Sequence, residues 1–233
     1  MSMAAVERIV ELRQYTLKPG RRDELIALFE REFVESQEET GMSILGTFRD
    51  HDRPDRFVWL RGFPDMESRA KSLAAFYGGP VWKAHREVAN DTMVDSDNVL
   101  LLRPAWGGSG FSQTGTRALC ETTDVPPGLV MAIICNLGEP VRPELLATLQ
   151  QSVSRQYEQA GGTLLAAFVT EESANDFPRL PIRDGEHVFV WFAMFADARD
   201  VGAVALPLAL EGELIKPPEI LRLLPTTRSR IRA

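Results

Sequence analysis

The 233-residue chain holds few of the residues from which metal and covalent sites are usually built: two cysteines and three histidines. Cys120 and Cys135 cannot make a disulfide framework, so the expected setting is a reducing cytoplasm. His51, His85 and His187 are scattered, without His-x-His, His-Glu-x-x-His or paired-cysteine spacing, and point to no zinc or iron site. Long apolar runs are missing too. The longest, Leu129 to Cys135 and Val188 to Ala196, fall far short of the roughly 20 residues that span a bilayer. No basic stretch followed by an apolar core opens the chain, so no secretory leader and no membrane association are expected. Basic charge is in deficit, with 26 Lys and Arg against 33 Asp and Glu and a net charge of −7. That balance argues against a nucleic-acid partner, which needs a basic surface. No Gly-x-Ser-x-Gly or Cys/His pattern supports a covalent nucleophile. Gly107-Gly108-Ser109-Gly110 opens no suitable helix and reads as linker rather than phosphate cradle.

What is present is an ordinary globular balance, 44% hydrophobic and 25% charged, with an internal repeat. Pro19 to Glu30 lies over Glu139 to Gln150. Arg22, Glu24, Leu25 and Ala27 recur 120 positions later as Arg142, Glu144, Leu145 and Ala147. Leu17 with Leu137 and Gly41 with Gly161 keep that register. Further on, Phe57, Val58, Trp59, Phe63 and Asp65 recur as Phe189, Val190, Trp191, Phe195 and Asp197, now 132 positions apart. The second copy therefore carries an insertion of 12 residues, placed around Glu171 to Glu186. The expected organisation is a first repeat over 1–105, a linker over 106–126 and a diverged second repeat over 127–233.

Each copy reads strand, helix, strand, strand, helix, strand. In the first, Ile9 to Leu17 is rich in strand formers and stops at Lys18-Pro19-Gly20. Leu25, Leu28, Phe29 and Phe33 fall at helical spacing within Arg21 to Thr40, which stops at Gly41. Ser43 to Arg49 and Arg56 to Phe63 are strands around a polar hairpin loop. Met66 to Tyr77 and Val81 to Thr92 are helices broken by Gly78-Gly79-Pro80, and Val99 to Arg103 closes the copy. The expected fold class is α+β: two tandem ferredoxin-like βαββαβ repeats whose antiparallel sheets pack face to face as an intramolecular α/β barrel, with a cavity between the sheets.

The segments Glu11 to Gly20, Arg56 to Arg69 and Gly78 to Glu87, together with the helix after Gly20, make the first copy resemble the NIPSNAP family of the dimeric α/β-barrel superfamily. The resemblance covers roughly Val6 to Pro104. Where family members usually carry a glycine- and asparagine-containing hairpin, this chain has His51-Asp52-Arg53-Pro54-Asp55. The resemblance implies the barrel fold. Its superfamily includes cofactor-free monooxygenases, lactone isomerases, polyketide cyclases and haem proteins, so the fold by itself does not choose a chemistry.

Strand alternation divides the candidate residues between faces. Val10 and Leu12 share one face of the first strand, and Glu11, Arg13 and Tyr15 the other. The apolar face is expected to meet the helices, which turns Glu11, Arg13 and Tyr15 into the barrel, joined by Trp59 and Arg61 from the third strand. The second copy has Met131, Ile133, Cys135 and Ala193 at the charged positions but keeps Trp191. One asymmetric pocket per chain follows, with its polar wall from the first copy. Glu11, Arg13 and Arg61 fit two roles. They are either a structural ion-pair cluster between the sheets or a site for an anionic, enolic or phenolate ligand. Trp82 and His85 share one face of a helix segment that the second copy lacks, which makes that segment a candidate lid and His85 a candidate acid/base.

The expectation is a cofactor-independent enzyme of the oxygenase, isomerase or cyclase type, acting on a small aromatic or polyketide-like compound. Glu11, Tyr15 and His85 are the candidate catalytic groups; Arg13, Trp59, Arg61, Trp82 and Trp191 are the candidate substrate-binding groups. No metal and no cofactor are expected, haem on His85 being the alternative that the superfamily implies. The expected partner is a small organic ligand, and the expected state a monomer or homodimer. The rival reading is a non-catalytic binding or interaction protein whose barrel is filled by its own side chains.

Overall fold

A computed structural model describes residues 7–112, 115–159, 161–196 and 206–232. Asp197 and Val201, the end of the second repeated block, lie outside the described residues. So does most of the stretch where a second helix of the second half is expected.

Eight antiparallel strands close into one barrel. They are β1 (Ile9–Leu17), β2 (Ser43–Asp50), β3 (Arg56–Phe63), β4 (Met93–Pro104), β5 (Leu129–Leu137), β6 (Thr163–Thr170), β7 (His187–Phe195) and β8 (Glu219–Pro225). Around the ring the order is β1-β3-β2-β8-β5-β7-β6-β4. The first four strands thus lie as β4-β1-β3-β2 and the last four in the matching order β8-β5-β7-β6. Short seams join the halves, Phe48 to Asp50 against Leu223 to Pro225 and Leu102 to Pro104 against Phe168 to Thr170. Closure leaves no unpaired strand edge within the ring. β2 is irregular between Ile44 and Gly46, and β6 between Leu164 and Ala166, at corresponding places.

The helices pack outside. In the first half these are α1 (Arg22–Leu28), which continues through a π-helical turn (Phe29–Phe33) into α2 (Val34–Glu38), then α3 (Met66–Gly78) and α4 (Pro80–Thr92). The second half contributes α5 (Pro143–Gln159) and a short 3₁₀ turn at Leu208–Leu210. Local chemistry explains the boundaries. Asp23 and Glu24 sit in the first turn of α1, where the helix dipole favours negative charge. The side chain of Asp65 caps α3 by accepting from the Ser68 N–H at 2.7 Å. Pro80 starts α4, where its missing N–H leaves no bond unmade. Gly41 and Gly161 follow α2 and α5 with φ of +94° and +76°, a backbone conformation that other residues adopt at a steric cost.

Among the described residues the barrel interior is packed mainly with hydrocarbon, with the buried polar side chains Gln14 and Asn136 on the same strand faces as Leu12 and Ile134. Val10, Leu12, Leu45, Phe48, Val58, Leu60, Leu100 and Leu102 meet Val130, Ala132, Ile134, Ala166, Phe168, Val188, Val190, Phe192, Leu221 and Leu223, so every strand contributes. Phe111 from the segment after β4 packs on Phe168 and Phe192. The expected facing of β1 and β3 is therefore reversed. Glu11, Arg13, Tyr15, Trp59 and Arg61 point outward, beneath the helices, and Val10 and Leu12 point in. The physical reason is partner supply. A buried carboxylate and buried guanidiniums need partners, and the helix layer provides Arg69 and Gln37.

Candidate functional site

The site is built on one pair of strands. Across β1 and β3, Glu11 stands opposite Arg61, Arg13 opposite Trp59, and Tyr15 opposite Phe57. Because strand side chains alternate, these six rise together from the outer face. Glu11 is the hub and is fully buried. One carboxylate oxygen accepts from Arg13 Nη1 at 2.6 Å and from Arg61 Nε at 2.7 Å; the other accepts from Arg69 Nε of α3, also at 2.7 Å. Arg13 Nε donates to the Tyr15 hydroxyl at 3.1 Å, and Arg61 Nη1 to Gln37 Oε1 of α2 at 3.1 Å. Gln37 is itself fixed by donating to the Phe33 carbonyl at 2.8 Å, at the end of the π-helical turn.

Aromatic rings surround these charges. The Trp59 ring centroid is 5.5 Å from the Arg13 guanidinium carbon and 5.1 Å from that of Arg61, within cation–π range. Trp59 meets Phe29 at 4.7 Å and Tyr15 at 5.8 Å, both edge-on. Burial by itself would raise the Glu11 pKa, but Arg61, Arg13 and Arg69 outweigh it and hold the carboxyl far below the ordinary range. Burial raises the Tyr15 phenol, against the opposing pull of Arg13, so the hydroxyl keeps its proton. Glu11 is accordingly a fixed anion and a weak base, and Tyr15 a neutral donor and acceptor.

The cluster is unbalanced. Three guanidiniums face Glu11 and one further carboxylate, that of Asp176, which pairs with Arg69 Nη1 beside Asn175 Oδ1 at 3.1 Å. Arg61 Nη2, Arg69 Nη2 and Trp59 Nε1 are buried with no hydrogen-bond partner. Buried donors are ordinarily satisfied, so three orphans around one carboxylate mark the cluster as short of acceptors. Asp176 comes from the segment between β6 and β7, whose Phe177 stacks on Tyr77 of α3 with ring centroids 6.0 Å apart and planes 26° apart. A part of the second half thus covers the charged cluster of the first.

The other expected residues are distributed differently. Trp82 lies in the aromatic layer, with ring centroids 5.6 Å from Phe33, 5.8 Å from Phe76 and 4.9 Å from Tyr77. His85 does not join Glu11 and Tyr15. Its Nε2 is 3.5 Å from Glu32 Oε2, its ring meets Phe33 edge-on, and its side chain is 32% exposed. Trp191 belongs to the separate second-half cluster under α5, against Phe189 and Tyr157.

Arg69, Gln37 and Tyr77 were not anticipated, nor were Asp176 and Phe177. A signal existed for Arg69, which shares a face of α3 with Leu73 and Phe76. A charged residue at the head of a buried helical stripe asks for a partner. Cavities lie elsewhere. One of about 330 Å³ is lined by Trp106, Ser109, Gln150 and Ser154, and another of about 210 Å³ by Glu139, Arg142 and Glu213. Among the described residues, no three histidine, cysteine or carboxylate side chains gather as a metal site requires, and no helix is long and apolar enough to cross a membrane.

Residues 10–106 match the NIPSNAP family model. No curated protein matches the chain. Among solved structures, a putative monooxygenase from Lactobacillus acidophilus shares 12% identity with a TM-score of 0.55, over 96% of this chain and 98% of that one. A putative monooxygenase from Fusobacterium nucleatum shares 10% identity with a TM-score of 0.57, over 99% and 97%. At those identities the likeness is one of fold. An uncharacterized NIPSNAP-like domain protein from Burkholderia xenovorans shares 30% identity over 42% of this chain and 85% of that one, with a TM-score of 0.39.

Proposed function

On the premise that the chain belongs to the NIPSNAP family through residues 10–106, we propose that it is a cytoplasmic, cofactor-independent small-molecule enzyme. Its one site lies between the outer face of β1 and β3 and the helices α1 to α4. The observation that carries this reading is the excess of buried positive charge, with unpartnered donors on Arg61, Arg69 and Trp59. Such a site favours a ligand that becomes an anion, an enolate or phenolate of an aromatic or polyketide-like compound.

Arg13 and Arg61 lie over the Trp59 ring, so an anion that reaches this layer meets two guanidiniums whose charge favours it. Glu11 positions the arginines; as an anion held by three guanidiniums, it is not the proton acceptor. Tyr15, polarised by Arg13 Nε, donates a hydrogen bond to the oxyanion. The ligand gives up its proton in solvent and enters the site already as the anion that the arginines favour. Oxygen insertion using dissolved dioxygen, isomerisation and ring closure all begin from this anion.

The chain is read as two diverged copies, 1–105 and 127–233, joined by 106–126. Support comes from pairing that repeats at the sequence offsets: Arg13 opposite Trp59 corresponds to Ile133 opposite Trp191, and Glu11 opposite Arg61 to Met131 opposite Ala193. A barrel that closes within one chain has no need of a second copy, which favours a monomer.

Thermal melting with a panel of phenols and enolisable diketones tests the function, with Arg61→Lys as the control. Lysine keeps the charge beside Glu11 but lacks the guanidinium fork. A compound that raises the wild-type midpoint by several degrees and the variant's by much less supports the site. Equal shifts in both would place binding elsewhere. The packed interior favours the second reading, a non-catalytic binding protein, which is kept if compounds bind at this site and none is turned over.

A further inference from the structure

The segment over the cluster is an odd cover. Its ends are tied to β4, where Glu171 N–H donates to the Leu101 carbonyl at 2.9 Å and Arg183 N–H to that of Val99 at 2.8 Å. Between these anchors it holds itself by local bonds, Asn175 Nδ2 to the Leu180 carbonyl at 2.9 Å and Phe177 N–H to Asn175 Oδ1 at 3.1 Å. Its main holds on the first half are the Asp176 carboxylate and Asn175 Oδ1 on Arg69 and an aromatic ring on Tyr77, with Leu180 and Ile182 packed beside them. Asp176 and Phe177 are consecutive, so charge and ring are separated by a short flexible link.

Resting on the ligand site proposed above, we infer that Asp176 and Phe177 occupy its outer end, between Arg69 and Tyr77. They are an internal stand-in for an aromatic carboxylate, which binds by displacing them. Three features support displacement over permanent cover. The Asp176 side chain is 24% exposed while Arg69 is fully buried, so the pair opens toward solvent on the loop's side. Arg69 Nη2 remains without a partner while Asp176 is in place, so the loop leaves part of the guanidinium fork unused. A free carboxylate can take both ends of the fork. Finally, whatever removes Asp176 must replace its charge, because otherwise three buried guanidiniums share the single Glu11 carboxylate. The site therefore selects anions and excludes neutral phenols of the same shape from the position beside Arg69. The ring of the incoming acid takes the place of Phe177 on Tyr77, next to Trp82.

The test compares wild type with the double variant Asp176→Asn, Phe177→Ala by calorimetric titration with phenylacetate and 3-phenylpropanoate, with acetate and phenol as partial mimics. Removing the stand-in relieves competition, so both aromatic acids should bind the double variant at least about tenfold more tightly than wild type, and the mimics should gain less. Phe177→Ala alone keeps the ion pair on Arg69 and guards against a double variant that fails to fold; it should show the same preference with a smaller gain. Trypsin supplies the sign. Arg179 is exposed on the same segment, so displacement by phenylacetate should speed cleavage after it in wild type. Equal affinity of wild type and variants for the aromatic acids would overturn the inference and leave the ligand site standing, as would protection of Arg179, which means closure over the ligand. Failure of the acids and of every phenol and diketone to bind either form would remove both.

Discussion

The two halves of the barrel share a backbone plan and differ in what they bury under their helices. At matching places the first half has Glu11, Arg13, Gln37 and Arg61, and the second has Met131, Ile133, Tyr157 and Ala193. The second-half set packs with Leu149, Val153, Phe189 and Trp191 as an apolar layer. The first half keeps its tryptophan, Trp59, but sets it among guanidiniums. The helices differ as well. α5 is regular from Pro143 to Gln159, whereas its counterpart passes through a π-helical turn at Phe29–Phe33 before Gln37 reaches Arg61. Such turns are often found at functional sites. An apolar layer is enough for this architecture, so the charged layer is not demanded by the fold, and replacing a buried ion cluster by hydrocarbon is often neutral or stabilising.

The sharpest way to break the comparison is to remove the hub. Glu11→Ala leaves Arg13 and Arg61 uncompensated and should cost about 3–5 kcal/mol of stability, read as a lowered urea midpoint. Adding the second half's residues at the other positions, Arg13→Ile and Arg61→Ala, should recover much of that loss while ligand binding stays absent. If Glu11→Ala alone is harmless, the cluster is not a mutually dependent network.

A smaller effect concerns acid. The Glu11 carboxyl is held below its unfolded value, so its contribution is present above about pH 4.3, the ordinary glutamate value, and fades as pH falls toward the depressed folded value. Glu11→Gln should therefore have a flatter stability profile below about pH 4.3. Identical slopes in wild type and variant would mean that other carboxylates govern acid unfolding.

The smallest effect lies in the second half. Burial pushes the Cys135 thiol up to about 12, whereas Cys120 is exposed. A thiol reagent at pH 8 should label Cys120 promptly and Cys135 only on unfolding. Comparable labelling of both in native protein would show that the apolar layer opens readily.

Much of the architecture was legible before any coordinates. β1 and β3 fall where their sequences place them, and the spacing of Leu25, Phe29 and Phe33 marks the helix that packs on them. β4 runs longer than Val99 to Arg103, starting at Met93, because β1 continues to pair with it through two register shifts. The facing of the candidate site was not legible. Alternation groups Glu11 with Arg13 and Tyr15 but is silent about which group points in, and both faces of β1 are buried. The reversed expectation rested on the usual meeting of apolar strand faces with helices, which fails where a helix brings its own arginine.

The sequence by itself determined the α+β class, the aromatic-rich strands, and the charge difference between the halves, since each depends on local spacing and residue type. Tertiary structure decided the rest. Arg69 is brought to Glu11 from a separate helix, and Asp176 and Phe177 reach Arg69 and Tyr77 across a sequence separation of about one hundred residues. Neither partnership has a local signature: the first arises when α3 packs on β1, and the second when the ring closes and sets the β6–β7 segment beside β4.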